Sequence, residues 1–296
     1  MRKHLPTPVF FALIALASLA QPGCSSPDPG PPPDVVVTIA PLKAIIAPLL
    51  PPETTIHVLA PAGASPQTFS LKSSDARKAA GAKLVVYAAA DLDGWAAKLD
   101  AQQKLELLPA VPEHFQLHTD GAAGGDGHDH GPIDPHWWLD PIAVLAVQPA
   151  IMDALEVAGI PVDQAKYDAF ADELRQLHLA LTAELEPVKG KAVALAHPSM
   201  GYFFNRFGLA TAGIIEPSPG KEPSPKYLQE LAARMEEADA FAVATEPQMP
   251  EGPAKSLAEN TGLPLITLDP LGGGEGRDTY SALLEFNAAA LAGAGG

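Results

Sequence analysis

The sequence predicts an α/β protein of two lobes, each built on a parallel sheet, joined by one long helix. Three observations carry that reading. Short, continuously apolar, β-branched segments alternate with helical ones through the first third of the chain, the pattern of strands buried on both faces. The same alternation restarts after residue 190. Between the two runs, residues 163–188 place Phe170, Leu174, Leu177, Leu181 and Leu185 at three- and four-residue steps. That spacing is one amphipathic helix, stopped by Pro187 and Gly190.

Taken in order, residues 35–39 are apolar and β-branched and read as a strand. Residues 41–50 begin with proline and read as a short helix. Residues 56–59 form a second strand, 73–80 a polar-faced helix, 84–88 a buried strand and 91–102 another helix. From His118 to Gly131 the chain is Gly, Asp and His with one Thr and two Ala, a surface loop that can bury nothing. In the second run, residues 193–196, 212–216, 241–245 and 265–268 read as strands. Residues 224–237 form a helix with Ser224 as N-cap and Pro225 behind it, and 280–290 close the fold as a helix. The expected organisation is a signal over 1–23, a linker over 24–34, an N-terminal lobe over 35–160, a linking helix over 161–189 and a C-terminal lobe over 190–296.

Composition narrows the function. With 296 residues, 47% of them apolar, the chain can bury a real core, so wholesale disorder is excluded. The only long apolar run is N-terminal and short for a span, so a polytopic membrane protein is excluded. Net charge is −16 and no Lys/Arg cluster occurs, which argues against a nucleic-acid partner. An acidic surface leaves a cationic ligand open. One cysteine excludes a disulfide framework and a multi-cysteine zinc site.

The N-terminus directs the chain out of the cytoplasm. Arg2 and Lys3 precede an apolar stretch over residues 9–20, and Cys24 follows in Gln21-Pro22-Gly23-Cys24-Ser25-Ser26. This resembles a bacterial lipoprotein signal, with Gln21 where Leu is usual, and implies lipidation at Cys24. A rival cut after Ser18-Leu19-Ala20 gives a soluble exported form. Residues 27–34 (PDPGPPPD) are a stiff spacer, suited to holding a domain off a membrane. The expected location is the periplasm or cell envelope.

Three residues could carry metal chemistry. His136 sits in Asp134-Pro135-His136-Trp137-Trp138-Leu139-Asp140-Pro141, where two prolines fix the backbone and two tryptophans can exclude water. His197 ends the strand at 193–196, and Asp269 ends the strand at 265–268. In open α/β sheets, ligands bind beyond the carboxyl ends of strands. Each residue also has a plainer role open to it: a stacked histidine in a turn, a helix cap, and a turn-initiating Asp before Pro270. Two imidazoles and a carboxylate suit Zn²⁺ or Mn²⁺. Glu246 ends the strand at 241–245 and is a candidate base or a supporting group. HExxH, GxSxG and P-loop signatures are absent.

Together these segments resemble a known family, the metal-binding proteins of bacterial zinc and manganese ABC importers. The resemblance spans nearly all of the mature chain. Residues 63–76 (GASPQTFSLKSSDA) resemble that family's first ligand loop, and 134–141 (DPHWWLDP) the second. His197-Pro198-Ser199-Met200-Gly201-Tyr202-Phe203 resembles the third, and Thr245-Glu246-Pro247-Gln248 and Leu268-Asp269-Pro270-Leu271-Gly272 the later strand-end motifs. Each is weak alone; their order and spacing are specific.

The resemblance implies a two-lobed, non-enzymatic, monomeric capture protein. It would hold Zn²⁺, or alternatively Mn²⁺, between its lobes and deliver it to a permease in the inner membrane. His136 and His197 fall on ligand positions and Asp269 on the carboxylate position. The first ligand, a histidine in the family, is here Gln67. A neutral amide oxygen holds Zn²⁺ more weakly than imidazole. Either Gln67 or a water completes the site, a loop histidine such as His128 or His130 swings in, or the protein serves another ion. The His-bearing loop resembles the zinc members and would gather ions, or else it is a solubilising linker. Two rival readings remain: an envelope metallohydrolase with Glu246 as base, and an adhesin-like member of the same fold.

Overall fold

In the computed structural model, residues 31–118, 133–217 and 223–295 are described. The first lobe starts with three valines, β1 (Val35–Val37), all fully buried. Helix α1 (Ala40–Ile46) follows, with proline in its first turn, and turns Leu42, Ile45 and Ile46 into the core. Next come β2 (Ile56–Val58), α2 (Ser73–Ala79), β3 (Ala82–Tyr87), the single-turn α3 (Ala90–Asp93) and β4 (Ala101–Glu106). The strands are all parallel, in the order β2-β1-β3-β4.

Helix α4 (Pro141–Val157) is capped by Asp140, whose carboxylate accepts from the Ile142 N–H at 2.8 Å. The linking helix is α5 (Gln164–Leu185), capped by Asp163. Its buried stripe is Phe170, Ala171, Leu174, Leu177, Leu181 and Leu185, the face the apolar spacing predicts. Lys166 Nζ donates to the Leu50 carbonyl at 2.6 Å, tying its start to the first lobe.

The second lobe contains β5 (Ala192–Leu195), α6 (Gly201–Phe207), β6 (Ala210–Ile214), α7 (Pro225–Glu237), β7 (Ala240–Thr245), α8 (Glu251–Thr261), β8 (Leu265–Thr267) and α9 (Tyr280–Gly295). Its strands are also parallel, in the order β6-β5-β7-β8. Ser224 caps α7 as its sequence context predicts, accepting from the Tyr227 N–H at 3.2 Å. Helix α5 packs on α4 from one lobe and α9 from the other, so one apolar core runs from Val35 through α5 to Leu291. No described helix is long and apolar enough to cross a membrane.

The structure corrects the expected elements in two ways. Residues 91–102 are not one helix: α3 ends at Asp93, a 3₁₀ segment covers Gly94–Lys98, and Ala101 already belongs to β4. That strand (AQQKLE) is a half-exposed edge strand, so it lacks the apolar run that marks a buried one. Helices α4, α6 and α8 went unread. Helix α4 is apolar nearly all round and carries Pro149, so neither periodicity nor helix propensity reveals it.

Candidate metal centre

Both sheets reverse direction of growth at their middle, between β1 and β3 in one lobe and between β5 and β7 in the other. Loops leaving the carboxyl ends of strands at such a reversal splay apart and open a crevice. The residues singled out above sit on such loops, and on the turn that precedes α4.

His136 is 5% exposed and enters the 3₁₀ turn Trp137–Leu139. Its Nδ1 lies 2.7 Å from Asp134 Oδ1, which also accepts the His136 backbone N–H at 2.9 Å. An ionised carboxylate only accepts, so Nδ1 carries the proton and Nε2 keeps its lone pair for a ligand. Trp138 packs edge-on against the imidazole, 5.3 Å between centroids, and its indole N–H crosses to the Pro270 carbonyl at 2.8 Å. Trp138 therefore backs the imidazole and ties the lobes together.

His197 lies two residues beyond β5 and is 3% exposed. Its ring stands 6.0 Å from that of His136, at 81°. Its Nε2 is 3.0 Å from Gln67 Nε2, while Ser65 donates its hydroxyl to Gln67 Oε1 at 2.8 Å. An amide nitrogen only donates, so His197 Nε2 is the acceptor and its lone pair faces Gln67. The position that departs from the family histidine thus meets the second imidazole directly.

Glu246 immediately follows β7, is 6% exposed, and takes the Ser199 hydroxyl on Oε1 at 2.5 Å. Burial is the main cause that pushes its carboxyl from 4.5 up to about 7, and the Asp269 charge adds to it. Ser199 and His136 pull in the opposite direction.

Ser65, Gln67, His136, His197, Ser199 and Glu246 line one cavity of about 20 Å³. That space suits one water-sized occupant and is far too small for an organic substrate. Asp269 is placed differently. Its carboxylate is 2.9 Å from Arg277 Nε, accepts from Gln248 Nε2 at 3.1 Å, and takes the Leu271 and Gly272 N–H groups at 3.0 Å each. Asn287 fixes its backbone from α9, with bonds of 2.7 and 2.8 Å.

The structure therefore brings together His136, His197 and Gln67, and engages the Asp269 carboxylate outside the cavity lining. Among the described residues, no three His, Cys, Asp or Glu side chains stand close enough to hold an ion without rearrangement. Cys24, His128 and His130 lie outside the described residues. Sequence reasoning missed Ser65, Ser199 and Arg277. Ser199 alone carried a signal, two residues past His197 in a proline-fixed turn.

Two parallel-sheet lobes, a long helix packed on both, and a cavity walled by an imidazole from each side of the cleft define a two-lobed binding protein. The family model described as "Zinc-uptake complex component A periplasmic" (ZnuA) matches residues 35–294, and the chain belongs to that family. The chain is 31% identical over 266 residues to the "High-affinity zinc uptake system protein ZnuA" of Yersinia pestis, covering 81% of this chain and 83% of the relative. It is 30% identical over 266 residues to a "Putative metal-binding protein" of Thermotoga maritima, covering 86% and 89%. The fold matches that of the periplasmic zinc-binding protein TroA of Treponema pallidum with a TM-score of 0.74, covering 90% and 99% at 17% identity.

Proposed function

We propose that this protein captures a zinc ion in the cleft between its lobes and delivers it to the permease of an ABC importer. The observation that carries the reading is the meeting of His136 and His197, one from each side of the cleft, 6.0 Å apart at an ion-sized cavity. His136 is already in the tautomer a metal needs, held by Asp134. The zinc-uptake family and the name of the Yersinia pestis relative support zinc over manganese. His136 and His197 are the imidazole donors. Gln67 joins them by presenting Oε1 after its amide leaves His197. Asp269 takes the Gln248, Leu271 and Gly272 donors on Oδ1 and meets only Arg277 at Oδ2, so it would join through Oδ2 as Arg277 moves aside.

The isolated bridge between His118 and Ile133 brings the ends of the His-bearing segment together just before Asp134. His128 and His130 belong to the segment between them and would concentrate ions weakly. Export and lipidation at Cys24 would hold a monomer beside its permease in the periplasm. A hydrolase reading is disfavoured because the cavity admits no organic substrate.

Competition titration of the metal-stripped protein with Zn²⁺ and Mn²⁺ tests this reading. One zinc should bind per chain, more tightly than manganese. His136→Ala and His197→Ala should each lower affinity at least 100-fold. Wild-type affinity in both variants would overturn the site.

A further inference from the structure

We infer that Arg277 is a built-in competitor for the ion. Its guanidinium and the ion claim the same oxygen, Asp269 Oδ2, so Arg277 tunes how tightly the site holds its cargo. The inference rests on the capture reading above and adds a residue that adjusts it.

The two oxygens of Asp269 are used unequally, which is the first ground. Oδ1 accepts from the Gln248 side-chain amide at 3.1 Å and from the Leu271 and Gly272 N–H groups at 3.0 Å each. These neutral donors orient the carboxylate and leave its charge uncancelled. Oδ2 meets Arg277 alone among the described residues, at 2.9 Å from Nε. The Asp269 side chain is 2% exposed and that of Arg277 23%, so the guanidinium is the cation that covers Oδ2. Two cations cannot share that oxygen without strong mutual repulsion. An ion that binds through Oδ2 must displace the guanidinium.

The second ground is how loosely Arg277 holds. Arg206 grips Asp140 through two hydrogen bonds, of 2.7 and 2.6 Å. Arg277 makes one contact, and its buried Nε has no hydrogen-bond partner. The pair is held by charge rather than by the aligned fork that makes arginine–carboxylate pairs strong. One arginine locks its carboxylate; the other can let go.

The third ground is that Arg277 has another seat and a link to the first lobe. Its guanidinium carbon lies 4.6 Å from the centroid of the Phe286 ring on α9, an attractive surface independent of Asp269. The glycine-rich loop that leads to it is closely packed. A Cβ on Gly274 would stand 2.9 Å from the Arg277 Nη2, and one on Gly273 would stand 2.7 Å from the Cβ of Ala40, where α1 begins. The Gly273 N–H donates to the Arg277 carbonyl at 2.8 Å. The loop that carries the competing cation therefore rests on the opposite lobe, so lobe movement and guanidinium movement share one segment. Coupling of this kind is reciprocal: if Arg277 weakens the ion, the ion loosens Arg277 by the same factor.

The test is zinc competition titration of the full protein and its Arg277 variants, with melting curves as a folding control. Arg277→Met and Arg277→Gln should each bind zinc about 10-fold more tightly, the ratio expected when a partly exposed ion pair no longer competes. Arg277→Lys keeps the cation at a one-point contact and should stay within about threefold of wild type. In an Asp269→Asn background the gain from Arg277→Met should vanish, because no charge is left to compete for. In wild type with isotope-labelled arginine, the nuclear magnetic resonance signal of the Arg277 Nε–H, assigned through Arg277→Lys, should shift as zinc is added. A residue that merely held the turn would give the reverse, a loss of affinity together with a lower melting temperature. Unchanged or weaker zinc binding in both neutral variants, or an Nε–H signal that zinc leaves in place, would overturn the inference. Failure of the wild-type protein to bind one zinc would instead remove the capture reading itself.

Discussion

Replacing Arg206 with methionine removes the guanidinium that grips Asp140 through two hydrogen bonds, of 2.7 and 2.6 Å. Asp140 is 3% exposed and lies four residues after His136, and Arg206 lies on α6, nine residues after His197. The pair therefore links the two imidazole-bearing segments. Without Arg206, Asp140 keeps the Ile142 N–H of its helix cap and stays buried. Removing one partner of a buried ion pair costs about 3–5 kcal/mol. The Arg206 side chain is 20% exposed, so solvent softens the loss, and about 3 kcal/mol is expected. The guanidinium also lies over the Phe115 ring, 5.4 Å from its centroid, so methionine removes that contact too, and the cycle with Asp140 separates the ion pair from it. His178 sits nearby, its pKa lowered by burial and then by Arg206; losing that guanidinium would let it protonate and compensate. Urea denaturation at pH 8 keeps it neutral. Arg206→Met, Asp140→Asn and the double variant form a cycle. The double variant should recover most of the loss, since no charge is then left unpaired. A coupling energy below about 1 kcal/mol would refute the reasoning.

Two further predictions follow from the same geometry. Asp93 is fully buried, and its carboxyl is pushed from 3.8 up to about 6, chiefly by burial. A raised acid stabilises the fold below its unfolded pKa and loses that contribution as pH rises through the folded one. The stability of wild type relative to Asp93→Asn should therefore fall by about 3 kcal/mol between pH 4 and pH 7, read by urea denaturation at each pH. A pH-independent difference would contradict the burial argument. Gln67→His replaces the amide that meets His197 with a third imidazole, and zinc affinity by competition titration should rise at least 10-fold. An unchanged affinity would mean that position 67 does not face the ion.

The lobes and the linking helix were legible because each buries a face whose period shows in the sequence. Three valines at 35–37 can only be a strand buried on both sides, and the leucine stripe of α5 can only be one helix face. Where burial is uniform or slight, the period vanishes. Helix α4 is apolar nearly all round and β4 is half exposed, so one was missed and the other was merged into a helix. The cap of α7 was readable because Ser224-Pro225 states its chemistry locally.

The candidate site follows a different logic. Residue type and strand-end position together pointed to His136 and His197, because an imidazole at a crevice is rare and rigidly placed. They also favoured Asp269 as the carboxylate over Glu246, although both follow strands and precede proline. What separates them is non-local: Arg277 lies eight residues beyond Asp269, on the approach to α9, and Ser199 reaches Glu246 from another strand's loop. A carboxylate's capacity to bind an ion depends on how many donors the fold has already aimed at it. Asp269 takes three amide donors on Oδ1 and meets Arg277 at Oδ2, whereas the Glu246 carboxylate takes the Ser199 hydroxyl on Oε1. That count of donors needs the packed structure.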